Sequence, residues 1–185
     1  MTDVPKPGRR TLLLLLALFI APLVAAFALY YGFGWRPSTQ SIHGELISPA
    51  RPMPEGAQKL RGDWSLVYVG DGGCDEDCRT ALVFARQTRL SLGKEMTRLG
   101  RVMLVTDNCC DVLYLKKEHD GIKVFDVSGD QDKAELLAVL PKADLQYTLF
   151  VVDPLGNLVM SYDVRKSPAG LLDDLRKLLK LSHIG

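Results

Sequence analysis

Trp64-Ser65-Leu66-Val67-Tyr68-Val69-Gly70-Asp71-Gly72-Gly73-Cys74-Asp75-Glu76-Asp77-Cys78 decides how this chain is read. The stretch to Val69 is short, aromatic and β-branched, and the glycine-rich residues after it close the run, the pattern of a strand that ends in a loop. Cys74 follows at once. From Cys78 onward Ala81, Leu82, Ala85, Leu92, Met96 and Leu99 recur on one face, which predicts a helix running to Gly100.

Working outward, Arg101 to Thr106 reads as a second buried strand, with Asp107-Asn108-Cys109-Cys110 at its exit. A polar helix or turn is expected over Asp111 to His119 and a short strand over Ile122 to Val127. Asp130 reads as the N-cap of a helix through Leu136, Leu137, Val139 and Leu140 that Pro141 stops. Thr148 to Val152 is a further apolar strand, and Asp153-Pro154-Leu155-Gly156-Asn157 turns it into a last one, Leu158 to Tyr162. Ser167 and Pro168 open a final helix carrying Leu171, Leu172, Leu175, Leu178 and Leu179. This order predicts an α/β, thioredoxin-like domain over residues 61–185. In open α/β sheets the functional crevice lies beyond the carboxyl ends of the strands, so neighbouring strands ending at Val69 and Thr106 would bring Cys109 and Cys110 toward Cys74 and Cys78.

The N-terminus predicts a membrane anchor. Leu12 to Phe33 carries no charge, and its 22 residues make a helix of roughly 33 Å, enough to cross a hydrocarbon core of about 30 Å. Lys6, Arg9 and Arg10 precede it, whereas Arg36 is the one basic residue beyond it until Arg51. That asymmetry keeps residues 1–10 in the cytoplasm, the span at 11–35 in a bacterial inner membrane, and everything after it in the periplasm. Tyr30, Tyr31 and Trp35 fall where an interfacial aromatic belt belongs, and Pro22 would kink the helix. A cleaved signal peptide is the competing reading; it too exports the rest. Residues 36–60, with Pro37, Gly44, Pro49, Pro52, Pro54 and Gly56, read as an extended tether.

A formal net charge of +1, with no basic cluster outside the N-terminus, argues against nucleic-acid binding. The chemistry is expected at the four cysteines. A disulfide between residues i and i+4 closes a tiny loop and stabilises little, which favours a reactive or soft-metal role for Cys74 and Cys78 over a structural one. The first helical turn lowers a thiol pKa; Asp75, Glu76 and Asp77 oppose it. Cys109 and Cys110 read either as buried small residues, as a vicinal disulfide, or as thiolates able to complete a three-sulfur Cu(I) site. His119, after a polar helix, is expected to be solvated and a lesser donor; His43 and His183 merit less.

The run from Trp64 through Gly-Asp-Gly-Gly-Cys74-Asp-Glu-Asp-Cys78, the long helix and Val-Met-Leu-Val-Thr-Asp107 resembles the Sco/SenC thioredoxin-fold proteins that serve copper insertion into haem-copper cytochrome oxidase. Gly44-Glu-Leu-Ile-Ser-Pro-Ala-Arg-Pro52 and Trp64 to Asp71 are similar to small single-span proteins of proteobacterial oxidase gene clusters, which implies an assembly role. That family holds copper with both cysteines of a Cys-x-x-x-Cys-Pro motif and a histidine after an aspartate, before the strand leading into the hairpin. In this chain Arg79 follows Cys78, and Asp144-Leu145 stands at the Asp-His position, so the third ligand is absent.

Three functions follow from that reading. The first is a membrane-anchored factor that keeps the copper-site cysteines of an oxidase subunit, or of a copper chaperone, reduced; Cys74, expected to be the more exposed, attacks and Cys78 resolves. The second is a Cu(I) carrier using Cys74 and Cys78 with Cys109 or Cys110. The third is a scaffold without redox chemistry that docks oxidase subunits.

Overall fold

Alternation along Trp64–Asp71 sorts its side chains to two faces: Trp64, Leu66 and Tyr68 join one buried cluster, Val67 and Val69 the other. A strand buried on both faces is central to its sheet. The computed structural model, which describes residues 8–32, 42–54 and 60–182, has a six-stranded mixed sheet made of β1 (Glu45–Pro52), β2 (Trp64–Asp71), β3 (Leu99–Asp107), β4 (Lys123–Asp126), β5 (Thr148–Val152) and β6 (Asn157–Asp163). The spatial order is β1-β6-β5-β2-β3-β4. β2, β3 and β4 run parallel, and β5, β6 and β1 complete the sheet antiparallel.

Helices cover both faces. α2 (Glu76–Ser91), α3 (Val112–Glu118) and α5 (Pro168–Leu181) supply Ala81, Leu82, Leu115, Leu171 and Leu175 to one cluster; α4 (Asp130–Val139) supplies Leu136 to the other. Each fully buried leucine, such as Leu66, Leu82 or Leu104, contributes about 1.5 to 3 kcal/mol relative to exposure. The thioredoxin-like α/β expectation holds.

Three local expectations do not. The helix from Cys78 stops at Ser91; Gly93 adopts a left-handed φ of 61°, Gly93–Arg98 forms a 3-10 segment, and Leu99 already belongs to β3. Asp130 lies in the first turn of α4 with Gly129 at the cap, so its carboxylate faces the helix dipole instead of capping it. The stretch expected to be tether contains β1, which pairs with β6 through a register irregularity between Leu46 and Arg51. Prolines are tolerated there because β1 is an edge strand. Its start is pinned by the buried Asp174 carboxylate, which accepts from the backbone N–H groups of His43 and Gly44, both at 2.8 Å, and lies 3.2 Å from His43 Nδ1.

The N-terminal helix is a separate unit from the sheet domain. α1 (Arg9–Phe27) contains Pro22, continues as a π-turn over Ala28–Gly32, and is long and apolar enough to cross a membrane. Lys6, Trp35, Arg36, Pro37, Gly56 and His183, which carry parts of the sequence reading, lie outside the described residues.

Candidate functional site

The parallel pairing of β2 with β3 places Asp71 opposite Asp107, so the two cysteine loops leave the sheet side by side. Backbone bonds then lace them: Gly72 N–H donates to Asp107 O at 2.8 Å, and Asp111 N–H donates to Gly72 O at 2.9 Å. Asp71 uses one carboxylate oxygen to accept from Gly73 N–H at 2.7 Å and the other to accept from Asn108 Nδ2 at 2.7 Å. Residue 72 must be glycine, because a Cβ there would stand 2.5 Å from Asn108 O and 2.7 Å from Cys109 Cα. Cys74 and Asn108 both adopt left-handed φ values, 45° and 46°. Asn tolerates this region; Cys74 is held in it by the loop and helix on either side.

Asp75 caps α2, its Oδ1 accepting from Cys78 N–H at 2.9 Å. Cys74 and Cys78 thus flank the cap, and their sulfurs are bonded to each other across a Cα separation of 5.1 Å. Both are buried, at 1% and 2% exposure, so Cys74 is not the more exposed of the two: its side chain turns into the core under α2. A cavity of about 370 Å³ lined by Cys78, Tyr68, Gly70, Gly73, Leu145 and Gln146 leads to the pair from the Cys78 side. Of the three neighbouring carboxylates, Asp75 is engaged by the cap, and Asp77 Oδ2 accepts from the Tyr147 hydroxyl at 2.8 Å. Burial, reinforced by Asp75, Asp77 and Asp71, pushes the Tyr68 hydroxyl up to about 12, so it stays neutral at the cavity wall.

Cys109 and Cys110 are joined as a vicinal pair at the exit of β3, with Cys109 exposed and Cys110 half-buried. His119 is not solvated. It is 0% exposed, its Nε2 lies 2.9 Å from the Tyr114 hydroxyl, and its Nδ1 has no hydrogen-bond partner among the described residues. Burial, together with Arg101 and Arg86, lowers its pKa and keeps the imidazole neutral. Arg79 ties the two loops together. Its Nε donates to Cys74 O at 3.1 Å, its guanidinium is 3.8 Å from Asp111 Oδ2, and it lies over the Tyr114 ring at 4.7 Å. Arg79, which the sequence shows only as a departure from a motif, thus holds the loops, and neither the close approach that requires glycine at 72 nor the Tyr147–Asp77 bond has a local sequence signal beyond the glycine run itself.

The donor set does not fit a three-ligand copper site. Leu145 lines the cavity beside Cys78 and has no lone pair to offer. Among the described residues no three His, Cys, Asp or Glu side chains lie together as a metal-binding group.

A mixed sheet with helices on both faces and cysteines at the head of the first domain helix defines a thioredoxin-fold protein. The chain belongs to the family described as transmembrane-like, thioredoxin-like, whose C-terminal domain matches residues 64–182 and whose transmembrane-like N-terminal domain matches residues 2–32. Its domain shares the fold of Sco proteins. It is similar to apo Sco1 from Thermus thermophilus (19% identity, TM-score 0.60, covering 76% of this chain and 99% of that one). It is similar also to copper-bound yeast Sco1 (19%, 0.58, 68% and 84%) and copper-bound ScoI from Arabidopsis thaliana (18%, 0.52, 68% and 89%). The comparison with curated proteins returns no match.

Proposed function

We propose that this protein is a membrane-anchored, Sco-like periplasmic factor that assists copper-centre assembly in cytochrome c oxidase by dithiol–disulfide exchange through Cys74 and Cys78, with its N-terminus cytoplasmic. One observation carries the reading: the two sulfurs are in bonding contact at the head of α2, and Leu145, at the position where the Sco-type histidine would stand, lines the cavity leading to them. Sulfur exchange needs only the two thiols and a route. Copper, in this reading, is the cargo of the partner, an oxidase subunit or a copper chaperone.

Because the cavity reaches Cys78, the Cys78 thiolate attacks the partner's disulfide and one partner sulfur leaves as thiolate. The Cys74 thiolate then attacks Cys78 of the mixed disulfide and releases the second. Two electrons pass to the partner, which becomes a dithiol, and Cys74 and Cys78 end bonded. The helix N-terminus favours the transient thiolates.

The full-length protein in detergent, mixed with the disulfide form of an oxidase subunit's copper domain, tests this. Cys74→Ser should accumulate a covalent adduct through Cys78, whereas Cys78→Ser and the double variant should not. Absence of any adduct, with stoichiometric Cu(I) retained by the wild type and lost in Cys74→Ser, would replace the proposal by the carrier. Full oxidase assembly in cells carrying Cys74→Ser/Cys78→Ser would leave only the scaffold.

A further inference from the structure

Cys74 and Cys78 are buried and reached through the cavity on the Cys78 side, whereas the other pair faces outward: Cys109 is exposed and Cys110 half-buried. Both line a cavity of about 480 Å³ between α3 and β4, distinct from the one that reaches Cys78. Its wall is apolar at Leu115, Ile122 and Val124 and charged at Lys116, Asp120 and Asp126. Asp126 is held ionised by the bonds it accepts from Ser128. His119, wholly buried, lines the same cavity, and its Nδ1 has no hydrogen-bond partner among the described residues, the kind of group that a ligand completes.

We propose that Cys109 and Cys110 form a second thiol–disulfide centre whose substrate is a small zwitterionic thiol, an amino acid or short peptide bearing a cysteine, bound in this cavity. The volume, about 480 Å³, admits a molecule of that size. Lys116 meets its carboxylate, Asp120 or Asp126 its ammonium group, and the apolar wall its carbon chain. The centre is independent of the role assigned to Cys74 and Cys78.

The step balances without another reactant. The ligand's thiolate attacks one sulfur of the Cys109–Cys110 bond, a ligand–cysteine disulfide forms, and the displaced cysteine leaves as thiolate and takes up the proton lost by the ligand. A second ligand thiolate attacks the ligand sulfur of that mixed disulfide and frees the remaining cysteine. Two thiols become one small disulfide, and Cys109 and Cys110 become a dithiol; in reverse, the protein dithiol reduces the small disulfide to two thiols and the Cys109–Cys110 bond re-forms.

Full-length Cys74→Ser/Cys78→Ser protein in detergent isolates the centre. Reduction by L-cysteine and by 2-mercaptoethanol is followed through alkylation and mass spectrometry. Expected are a saturable rate with L-cysteine and, when Cys110→Ser is added and L-cystine is supplied in place of L-cysteine, a cysteinylated Cys109 with one cysteine released. Lys116→Glu, a change at an exposed side chain, should slow L-cysteine about fivefold by removing its electrostatic attraction while leaving 2-mercaptoethanol within about twofold. Equal effects of Lys116→Glu on both thiols, or a rate linear in L-cysteine to the highest concentration, would overturn the binding site and leave a bare exposed disulfide. Reaction with a cysteine-bearing protein but with neither small thiol would overturn it as well. None of these outcomes bears on trapping through Cys78.

Discussion

Arg79 Nε donates a 3.1 Å hydrogen bond to the carbonyl of Cys74 from the first turn of the helix that Cys74 precedes. The same guanidinium lies against Asp111 and over the Tyr114 ring, so one side chain joins the loop of one cysteine pair to the helix that follows the other. The left-handed backbone of Cys74 is held from both sides: by the Asp71 turn before it and by Arg79 after it.

Arg79→Ala should therefore loosen the Cys74 loop. The side chain is half exposed, so solvent discounts the bond, and a loss of about 0.5 to 1.5 kcal/mol is expected. Reduction of the Cys74–Cys78 bond by dithiothreitol should speed up at the same time, with Arg79→Lys in between, because an ammonium cannot reproduce the planar fork and the ring contact together. An unchanged reduction rate in Arg79→Ala, at lowered stability, would disconnect the arginine from the sulfurs.

Asp174 anchors the start of the edge strand. Its buried carboxylate accepts two backbone N–H groups and contacts the His43 ring. Asp174→Ala leaves those donors without a partner and should cost about 2 to 3 kcal/mol, with Asp174→Asn losing less because an amide oxygen still accepts. Denaturant midpoints give the loss, and hydrogen exchange should quicken at the His43 and Gly44 amides before it does in β5. Matching midpoints for wild type and alanine variant would show that β1 is held by its pairing with β6 alone.

His119 makes stability depend on pH. Its folded-state pKa lies below the ordinary value of about 6.5 because burial and the facing Arg101 and Arg86 disfavour the charged ring, against a smaller pull from Glu118. As pH falls through 6.5 the unfolded chain takes up a proton that the folded imidazole refuses, so stability drops on acidification and is full above that range. Between pH 7.5 and 5.5 the wild type should lose more stability than His119→Leu. Parallel loss in both proteins would place the titration elsewhere.

What the sequence disclosed and what it withheld divide along a physical line. The Trp64 to Cys78 unit and the apolar run at Thr148–Val152 were legible because burial on both faces leaves a continuous hydrophobic signature. β1 was not, since Pro49 and Pro52 read as breakers until an edge position makes their missing N–H groups harmless. Exposure at the cysteines also lay beyond the chain's local pattern: whether Cys74 or Cys109 meets solvent depends on how α2 and α3 sit on the sheet. The burial of His119 came from the same source, a partner hydroxyl on Tyr114 five residues back that closes only when α3 forms.

Leu145 gives the most direct test of the proposal that this site exchanges sulfur bonds instead of holding copper. It stands on the 3-10 segment Leu145–Tyr147 just before β5 and lines the cavity that reaches Cys78. Leu145→His would place an imidazole at that wall, and two thiolates with one imidazole make a donor set suited to Cu(I). The reduced variant is expected to bind Cu(I) at least about tenfold more tightly than the wild type, a gain of about 1.4 kcal/mol, read by competition with a chromophoric chelator. Leu145→Gln, polar but without a soft or imidazole donor, should give no such gain, and adding Cys78→Ser should remove it. Equal affinities for Leu145→His and wild type would mean that the new ring does not reach the sulfurs, and that something other than a missing third ligand governs what the pair does.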